Sequence, residues 1–483
     1  MNCLIPHGHV NFGMQKNPAR QWLIILIFIS AALRLITIGR DSLWFDESIS
    51  YLASTLPLSA ILNNTIQSSH PPLYYLLLAF WRQLIPNHDG YLRLFSMIWN
   101  LLLIPLTYWV TLTLLPQKRD MALISALLIV VSPFHIIYSQ ELRMYTQLMT
   151  LTVGGTLAYL QAQKTDKWLW WVAFFMAFLL AIYTHLFSLF ALAGIGLYAV
   201  AFSSSCKGHN SLKQTTIIIG VLLILLSPWA YILIQESQQS LGSLRPLAQA
   251  SSDNFRYIKP IATLTFLMFG SVSGIIYNGL ALFFTMAISI ILSMELVKTC
   301  KTAENPFIAL LILIVLCTLV VPIVIYLIRP FYLPDRTMAG ASPFLLILCA
   351  WGTTRKHTPL PYLVYGMIIV MMAGVVLHAR QPAIKPPYRD AMLFISQHQK
   401  PTDIILHTSD GSYFPALRYS SFFNHAKAKP LALHALLAHD PDPRKPKTVY
   451  ESVGGTVWEL DDVHGKGKRL WLVIACLSHF DAL

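Results

Sequence analysis

Long apolar runs broken by short polar loops dominate the first 378 residues. A membrane-spanning helix needs about 20 mostly apolar residues. Runs of this kind cover 22–39, 93–115, 121–138, 146–163, 168–184, 186–203, 214–234, 279–297, 306–328, 338–353 and 360–377. The pattern predicts an α-helical polytopic membrane protein with about 11 transmembrane helices. The first run resembles a signal peptide, but it is long and no small-residue cleavage site follows, so it is read as a retained helix. Lys and Arg of short loops gather on the cytoplasmic side of a membrane. Lys16 and Arg20, Lys118 and Arg119, Lys164 and Lys167, Lys207 and Lys213, Lys298 and Lys301, and Arg355 and Lys356 all fall on one side of the predicted spans. This orientation puts the N-terminus in the cytoplasm and the residues after 378 outside.

The loops of the opposite face are longer. In the first, 40–92, the apolar stretch Pro71–Ile85 is too short to span. It reads as a helix lying at the interface or re-entering. Residues 48–62 read as a second surface helix, with Leu52, Leu56, Ile61 and Leu62 among small polar residues. A further outer loop runs from Gln235 to about Pro260, and the Gly- and Ser-containing segment 261–276 reads as interfacial rather than spanning. After residue 378 the pattern changes: 23 of the chain's 57 charged residues fall in its last 105 positions. This shift divides the chain into a membrane domain, 1–378, and a water-soluble domain, 379–483. The second reads as a small C-terminal extracytoplasmic α/β domain, with a helix over Arg389–Gln399, strands at Asp403–His407 and Leu470–Cys476, and a loop over Asp440–Lys447. It contains no nucleophile elbow, phosphate loop or metal motif.

Composition narrows the class. Of 483 residues, 55% are hydrophobic and 12% charged, with mean hydropathy +0.57. Soluble chains carry roughly 25% charged residues, so a soluble enzyme, a disordered chain and a nucleic-acid binder are excluded. The net charge of +13 belongs to the membrane asymmetry. Cys3, Cys206, Cys300, Cys317, Cys349 and Cys476 show no paired spacing, which speaks against a disulfide framework and a thiolate metal site.

Polar groups that are costly in a membrane collect at the outer span ends. They are Arg34, Arg40, Asp41, Trp44, Asp46, Glu47 and His70 in and before the first outer loop, then Arg93, His135, Tyr138, Gln140, Glu141, Arg143, Tyr145 and His185, and finally Arg329, Tyr332, Asp335 and Arg336. Asp46 and Glu47 are either a base and its partner, or the N-cap of the helix over 48–62. His70, fixed by Pro71 and Pro72, is either a phosphate or acid–base group or an interfacial cap. Glu141 and Tyr145 are i,i+4 neighbours on a predicted helix, and Glu141 with Arg143 is equally a structural pair closing a helix end. Arg93, Arg143, Arg329 and Arg336 suit a phosphate, although any one of them could simply snorkel to lipid headgroups.

These residues, in this order, resemble the GT-C membrane glycosyltransferases, and most closely the family 39-like members related to protein O-mannosyltransferases and the lipid A aminoarabinose transferase. The resemblance lies in Ser42-Leu43-Trp44-Phe45-Asp46-Glu47, His70-Pro71-Pro72-Leu73-Tyr74-Tyr75, Leu92-Arg93-Leu94, Ser132-Pro133-Phe134-His135, the run Tyr138–Tyr145, and Tyr183-Thr184-His185. It covers roughly the first 200 residues, and later only an aromatic–Arg segment at Tyr332–Arg336 matches. The resemblance implies a GT-C fold in a bacterial plasma (inner) membrane. It implies transfer of a sugar, with inversion, from a polyprenyl-phosphate donor to a protein, lipid or glycan acceptor on the extracytoplasmic face. It makes Asp46 the general base and Glu47 the second acid. His70 matches the mannosyltransferase His where the aminoarabinose enzyme has a phosphate-contacting Lys. Ile49 stands where that enzyme has Arg, which speaks against aminoarabinose as the sugar. His70, Arg93, Glu141, Arg143, Tyr145, Arg329 and Arg336 are the expected donor-binding set. No cofactor is required; Glu47, His70 and Glu141 are the set that would hold a divalent metal. The competing reading is a transporter or flippase for a lipid-linked sugar, but no repeat or mid-depth charge of that kind is visible.

Overall fold

The computed structural model describes residues 18–67, 70–202, 209–240, 257–302, 306–328, 333–382, 385–400, 403–407, 410–427, 433–437, 456–458 and 470–473. The first apolar run forms α1 (Pro18–Leu35). The first outer loop then folds into α2 (Phe45–Thr55), α3 (Leu58–Gln67) and α4 (Leu73–Leu84). The single surface helix expected over 48–62 is thus two, because the chain is extended at Leu56 (φ −73, ψ 155) and Pro57 has no N–H to carry the ladder on. With 12 residues, α4 rises about 18 Å and falls well short of a bilayer core.

The bundle continues through α5 (Asp89–Leu114), α6 (Arg119–Val131), α7 (Pro133–Ser139), α8 (Tyr145–Thr165), α9 (Trp168–Thr184), α10 (Ser188–Ala201) and α11 (His209–Ser240). Next come α12 (Lys259–Phe269), α13 (Ile275–Thr302) and α14 (Pro306–Val315). The last runs through a π-helical turn, Leu316–Val320, into α15 (Val321–Ile328). A 3-10 turn, Asp335–Ala341, leads into α16 (Ser342–Gly352), and α17 (Leu360–Arg380) closes the bundle. Because α11 reaches Ser240, the outer loop expected from Gln235 begins later, and 241–256 lies outside the described residues.

Six helical runs among the described residues are long and apolar enough to cross a membrane: Pro18–Leu35, Asp89–Leu114, Ser211–Tyr231, Ile275–Thr299, Ile308–Ile328 and Leu360–Arg380. The α6–α7 pair, bent by 56°, makes a seventh. On length and apolarity the expected count of about 11 therefore falls to six or seven. The remaining expected spans coincide with α8, α9, α10 and α16, which are too short or too polar for that criterion. The physical reason is clearest in α8. Nearly all of it is buried by protein, and Thr150, Thr152 and Thr156 bond carbonyls one turn back, so it has little need of the apolarity that lipid contact demands.

The α6–α7 bend has a local cause. Pro133 cannot donate to the Ile129 carbonyl. The fully buried Arg34 guanidinium fills the gap, donating to the Ile129 and Val130 carbonyls at 3.2 and 3.4 Å and to Asn100 Oδ1 at 3.0 Å. Ser132 accepts from the His135 N–H at 3.5 Å as the cap of α7, and donates to the Met268 carbonyl at 3.2 Å. The 11-residue α12 ends at Gly270, whose φ of +73° and contact with the Phe134 backbone leave no room for a Cβ (2.7 Å).

After the bundle, α18 (Tyr388–His398) and α19 (Asp410–Lys427) flank strands β1 (Ile404–His407), β2 (Leu433–Leu437), β3 (Thr456–Trp458) and β4 (Leu470–Val473). The strands pair in the order β3-β2-β1-β4, all parallel. Parallel neighbours need a crossover, and α19 supplies the one from β1 to β2. The loop expected over Asp440–Lys447 lies outside the described residues.

Candidate active site

The site forms where the segment between α1 and α2 meets the α7–α8 junction. Residues 38–43 are held from both sides. From the bundle, fully buried Arg93 in the first turns of α5 donates to the carbonyls of Ile38, Asp41 and Ser42 at 3.0, 2.7 and 3.0 Å. From the C-terminal segment, Arg389 donates to the carbonyls of Gly39 and Arg40, and its N–H to Ser42 Oγ at 3.1 Å. The Leu43 N–H donates to Tyr419 Oη at 2.6 Å, and that hydroxyl donates to Asp89 Oδ2 at 2.5 Å. Asp89 also takes Arg418 at 3.3 Å and Arg389 at 3.5 Å. Loop backbone that would otherwise be unpaired away from water is thereby satisfied.

The two adjacent carboxylates have opposite surroundings. Glu47 is completely buried. It accepts two bonds from Arg93 at 2.8 Å, one from the Leu142 N–H at 2.8 Å and one from Lys385 Nζ at 2.9 Å. It also accepts from the Trp44 N–H at 3.3 Å, which caps the start of α2. Burial alone would push the Glu47 carboxyl up, but Arg93 and Lys385 outweigh it and hold it well below the usual carboxylate range. Asp46 instead keeps 14% of its side chain exposed, and its Oδ2 faces Arg336 at 3.1 Å and Arg143 Nε at 4.0 Å. The N-cap alternative is therefore resolved: Glu47, at the third helical position, does the capping, and Asp46 points elsewhere.

The Gln140–Met144 stretch is a turn between α7 and α8, not the helix expected there. Pro133 and the short α7 place the break, so the i,i+4 relation of Glu141 and Tyr145 does not operate. Glu141 turns to Lys385 at 3.3 Å, while Arg143 turns to Asp46 and to Ser50 Oγ at 3.2 Å. The Glu141 carboxyl is pushed above its ordinary value, chiefly by burial. Arg143 also lies over Tyr145 (5.9 Å), Tyr145 against His185 (6.1 Å), and His185 edge-on to His70 (6.5 Å). The structure thus joins Asp46, Glu47, His70, Arg93, Glu141, Arg143, Tyr145 and Arg336 in one contact network. Arg329 and Tyr332 lie outside the described residues. Arg34 and His135 serve the bundle interior, and Asp335 pairs with Lys259 at 2.9 Å and Thr263 at 2.5 Å. Among the described residues no three His, Cys, Asp or Glu side chains are placed to hold a metal ion, and the Glu47–His70–Glu141 set is not assembled as one.

Lys385 was not among the expected site residues. Its only sequence signal is its place just after the last span, before Pro386 and Pro387. Trp44 is the other addition. Arg336 and Lys385 both lie against its ring, at 5.6 and 5.7 Å. Its Nε1, like Arg143 Nε, is buried with no hydrogen-bond partner among the described residues.

Residues 69–232, less than half of the chain, match the sequence model of the dolichyl-phosphate-mannose-protein mannosyltransferase family. Two crystal structures of ArnT from Cupriavidus metallidurans share the fold. The apo form superposes with TM-score 0.57 and the form bound to undecaprenyl phosphate with 0.56, each at 13% identity over 92% of this chain and 91% of that one. No curated protein sequence matches. Together these findings show a polytopic membrane protein with the ArnT fold, whose residues 69–232 are similar in sequence to the protein mannosyltransferases.

Proposed function

We propose that the protein is an inverting transferase that moves a sugar from a polyprenyl monophosphate to an acceptor hydroxyl or amine on the extracytoplasmic face of a bacterial inner membrane. Asp46 is the general base. The observation that carries this reading is the arrangement around that carboxylate. Arg143 and Arg336 lie beside it. A departing lipid phosphate takes up the two guanidiniums, which bind phosphate bidentately. Fixed cations in a low-dielectric site stabilise the charge that builds on that leaving group. Asp46, released from them, accepts the proton of the acceptor as it attacks the anomeric carbon on the opposite face. His70, His185 and Tyr145, joined to Arg143 through ring contacts, are the groups we assign to the sugar. No step requires a metal.

The alternation of helix ends supports the orientation. Arg143, His185, Arg336 and Lys385 lie at ends that the positive-inside pattern puts outside. Lys164 bonded to the Thr113 carbonyl, and Arg355 bonded to Thr299, lie at ends that it puts inside. The same alternation supports about 11 crossings, the shorter and more polar helices being sheltered by their neighbours. Residues from 379 on form the extracytoplasmic domain, which braces the catalytic loop through Arg389 and Tyr419. ArnT has been crystallised with undecaprenyl phosphate, which supports a lipid of that kind as the donor's carrier here.

The test is transfer by the purified protein in lipid discs, with a panel of polyprenyl-phosphate sugars and membrane acceptors. Free polyprenyl phosphate released by the wild type but not by Asp46→Asn is the expected result. Equal release by both would remove Asp46 as the base.

A further inference from the structure

Lys385 sits on a short segment between the last helix of the bundle and α18, yet its ammonium reaches the centre of the site. It lies 2.9 Å from Glu47 Oε2 and 3.3 Å from Glu141 Oε1, with 15% of its side chain exposed against 0% and 10% for the two acids. Two carboxylates within reach of one ammonium, both nearly out of water, repel each other strongly unless a cation stands between them. Arg93 bonds both oxygens of Glu47, Arg143 faces Asp46, and Arg336 pairs with Asp46 while its charge also acts on Glu141. Lys385 is in ion-pair contact with both Glu47 and Glu141.

We propose that Lys385 is a built-in counter-cation: its ammonium ties the α7–α8 turn to the start of α2 and does the bridging that a divalent metal ion could otherwise do between Glu47 and Glu141. It is a positioning residue for Asp46, which rests on the reading of Asp46 as the reacting group. The chemistry follows from the donor set. Two carboxylate oxygens facing one point suit a hard oxygen-seeking cation such as Ca²⁺ or Mn²⁺, which takes ligands at about 2.0–2.6 Å. The wild-type lysine fills that point, and its removal leaves the two oxygens without their shared charge.

The experiment uses the full chain in zwitterionic lipid discs and the variant Lys385→Met, close in size and uncharged. Terbium(III) is the probe, because Trp44 lies 5.7 Å from the Lys385 ammonium and can sensitise its luminescence. The expected result is saturable terbium emission in the variant, displaced by Ca²⁺, weak in the wild type and lost again in Lys385→Met/Glu141→Gln. In chelator, turnover of the variant falls by about 10²-fold, the scale of a small misplacement of reacting groups, and Ca²⁺ or Mn²⁺ returns most of it. A folded variant with no terbium emission above the wild type, or with turnover unchanged in chelator, overturns the proposal. If the variant is unstable it is prepared in Ca²⁺. Chelation must then lower its melting temperature and leave that of the wild type alone; equal shifts also overturn it. Should the wild type show no turnover on any polyprenyl-phosphate sugar, the transferase reading fails, while the terbium result still decides the role of Lys385.

Discussion

The two sides of the short helix start that carries Asp46 and Glu47 differ in how their charges are met. The Glu47 side is closed: its carboxylate is fully buried and meets Arg93, Lys385 and two backbone N–H groups. The Asp46 side is more open: its carboxylate is partly exposed and pairs with Arg336 and Arg143, and Trp44 Nε1 has no hydrogen-bond partner among the described residues. A saturated charge costs a great deal to disturb and reacts with little. One that keeps some contact with solvent is open to chemistry. Two adjacent acids thus have different surroundings, which is why Asp46 is proposed as the reacting group and Glu47 as a structural one.

The sharpest way to break this contrast is Asp46→Asn. Turnover should fall by about 10²–10⁴-fold, the usual worth of general-base assistance. The melting temperature should fall less than for Glu47→Gln, because the Asp46 side chain is partly exposed and the amide keeps its shape. Release of polyprenyl phosphate and a thermal melt on the same sample check both halves.

Glu47→Gln should do the reverse first. It leaves Arg93 and Lys385 facing a neutral amide, and breaking a buried pair costs about 3–5 kcal/mol. The melt should drop sharply, with activity lost as a consequence. Acid should act on the same pair. The folded Glu47 carboxyl lies below its ordinary value, so its stabilisation is complete above the unfolded value and is lost as the pH falls through the folded one. Glu141 is displaced upward, so its contribution has the opposite sign: present in acid and lost as the pH rises through its folded value. Melts across the acid range should show Glu47→Gln flattening the acid limb and Glu141→Gln steepening the net rise.

Arg336→Met removes one cation from the open side. A loss of about 10²-fold in turnover, at the low end for removing one transition-state donor, should come with little change in the melt. Kinetics with a fixed acceptor and varied donor measure it. The smallest effect belongs to Tyr419→Phe, which deletes one hydroxyl linking Leu43 to Asp89. About 1.5–3 kcal/mol of stability is expected, as for a hydrogen bond to a charged group. The turnover loss should be modest and should follow the loosening of the 38–43 loop.

The apolar runs predicted where the helices lie because burial in lipid or protein needs only composition and length, and both are read along the chain. For the same reason α18, β1 and β4 coincide closely with the expected helix and strands, and the sharp break at Pro133 is implicit in a residue that lacks an N–H. The motif residues Asp46, Glu47, His70, Glu141, Arg143 and Tyr145 were legible as a group because ionisable side chains at span ends are rare. Their partners were not. Whether Glu141 closes a helix with Arg143 or reaches Lys385, whether Arg93 meets a phosphate or Glu47 and three carbonyls, and which of two adjacent acids is sealed are all settled by residues 46 to 338 positions away. α8 shows the same division: its Thr-rich sequence lacks the apolarity of a lipid-facing span, and only its neighbours reveal that it faces protein instead. What the sequence determined was the kind and place of each group along the chain. What tertiary structure decided was the company each keeps, because charge pairing and desolvation act through space and not along the backbone.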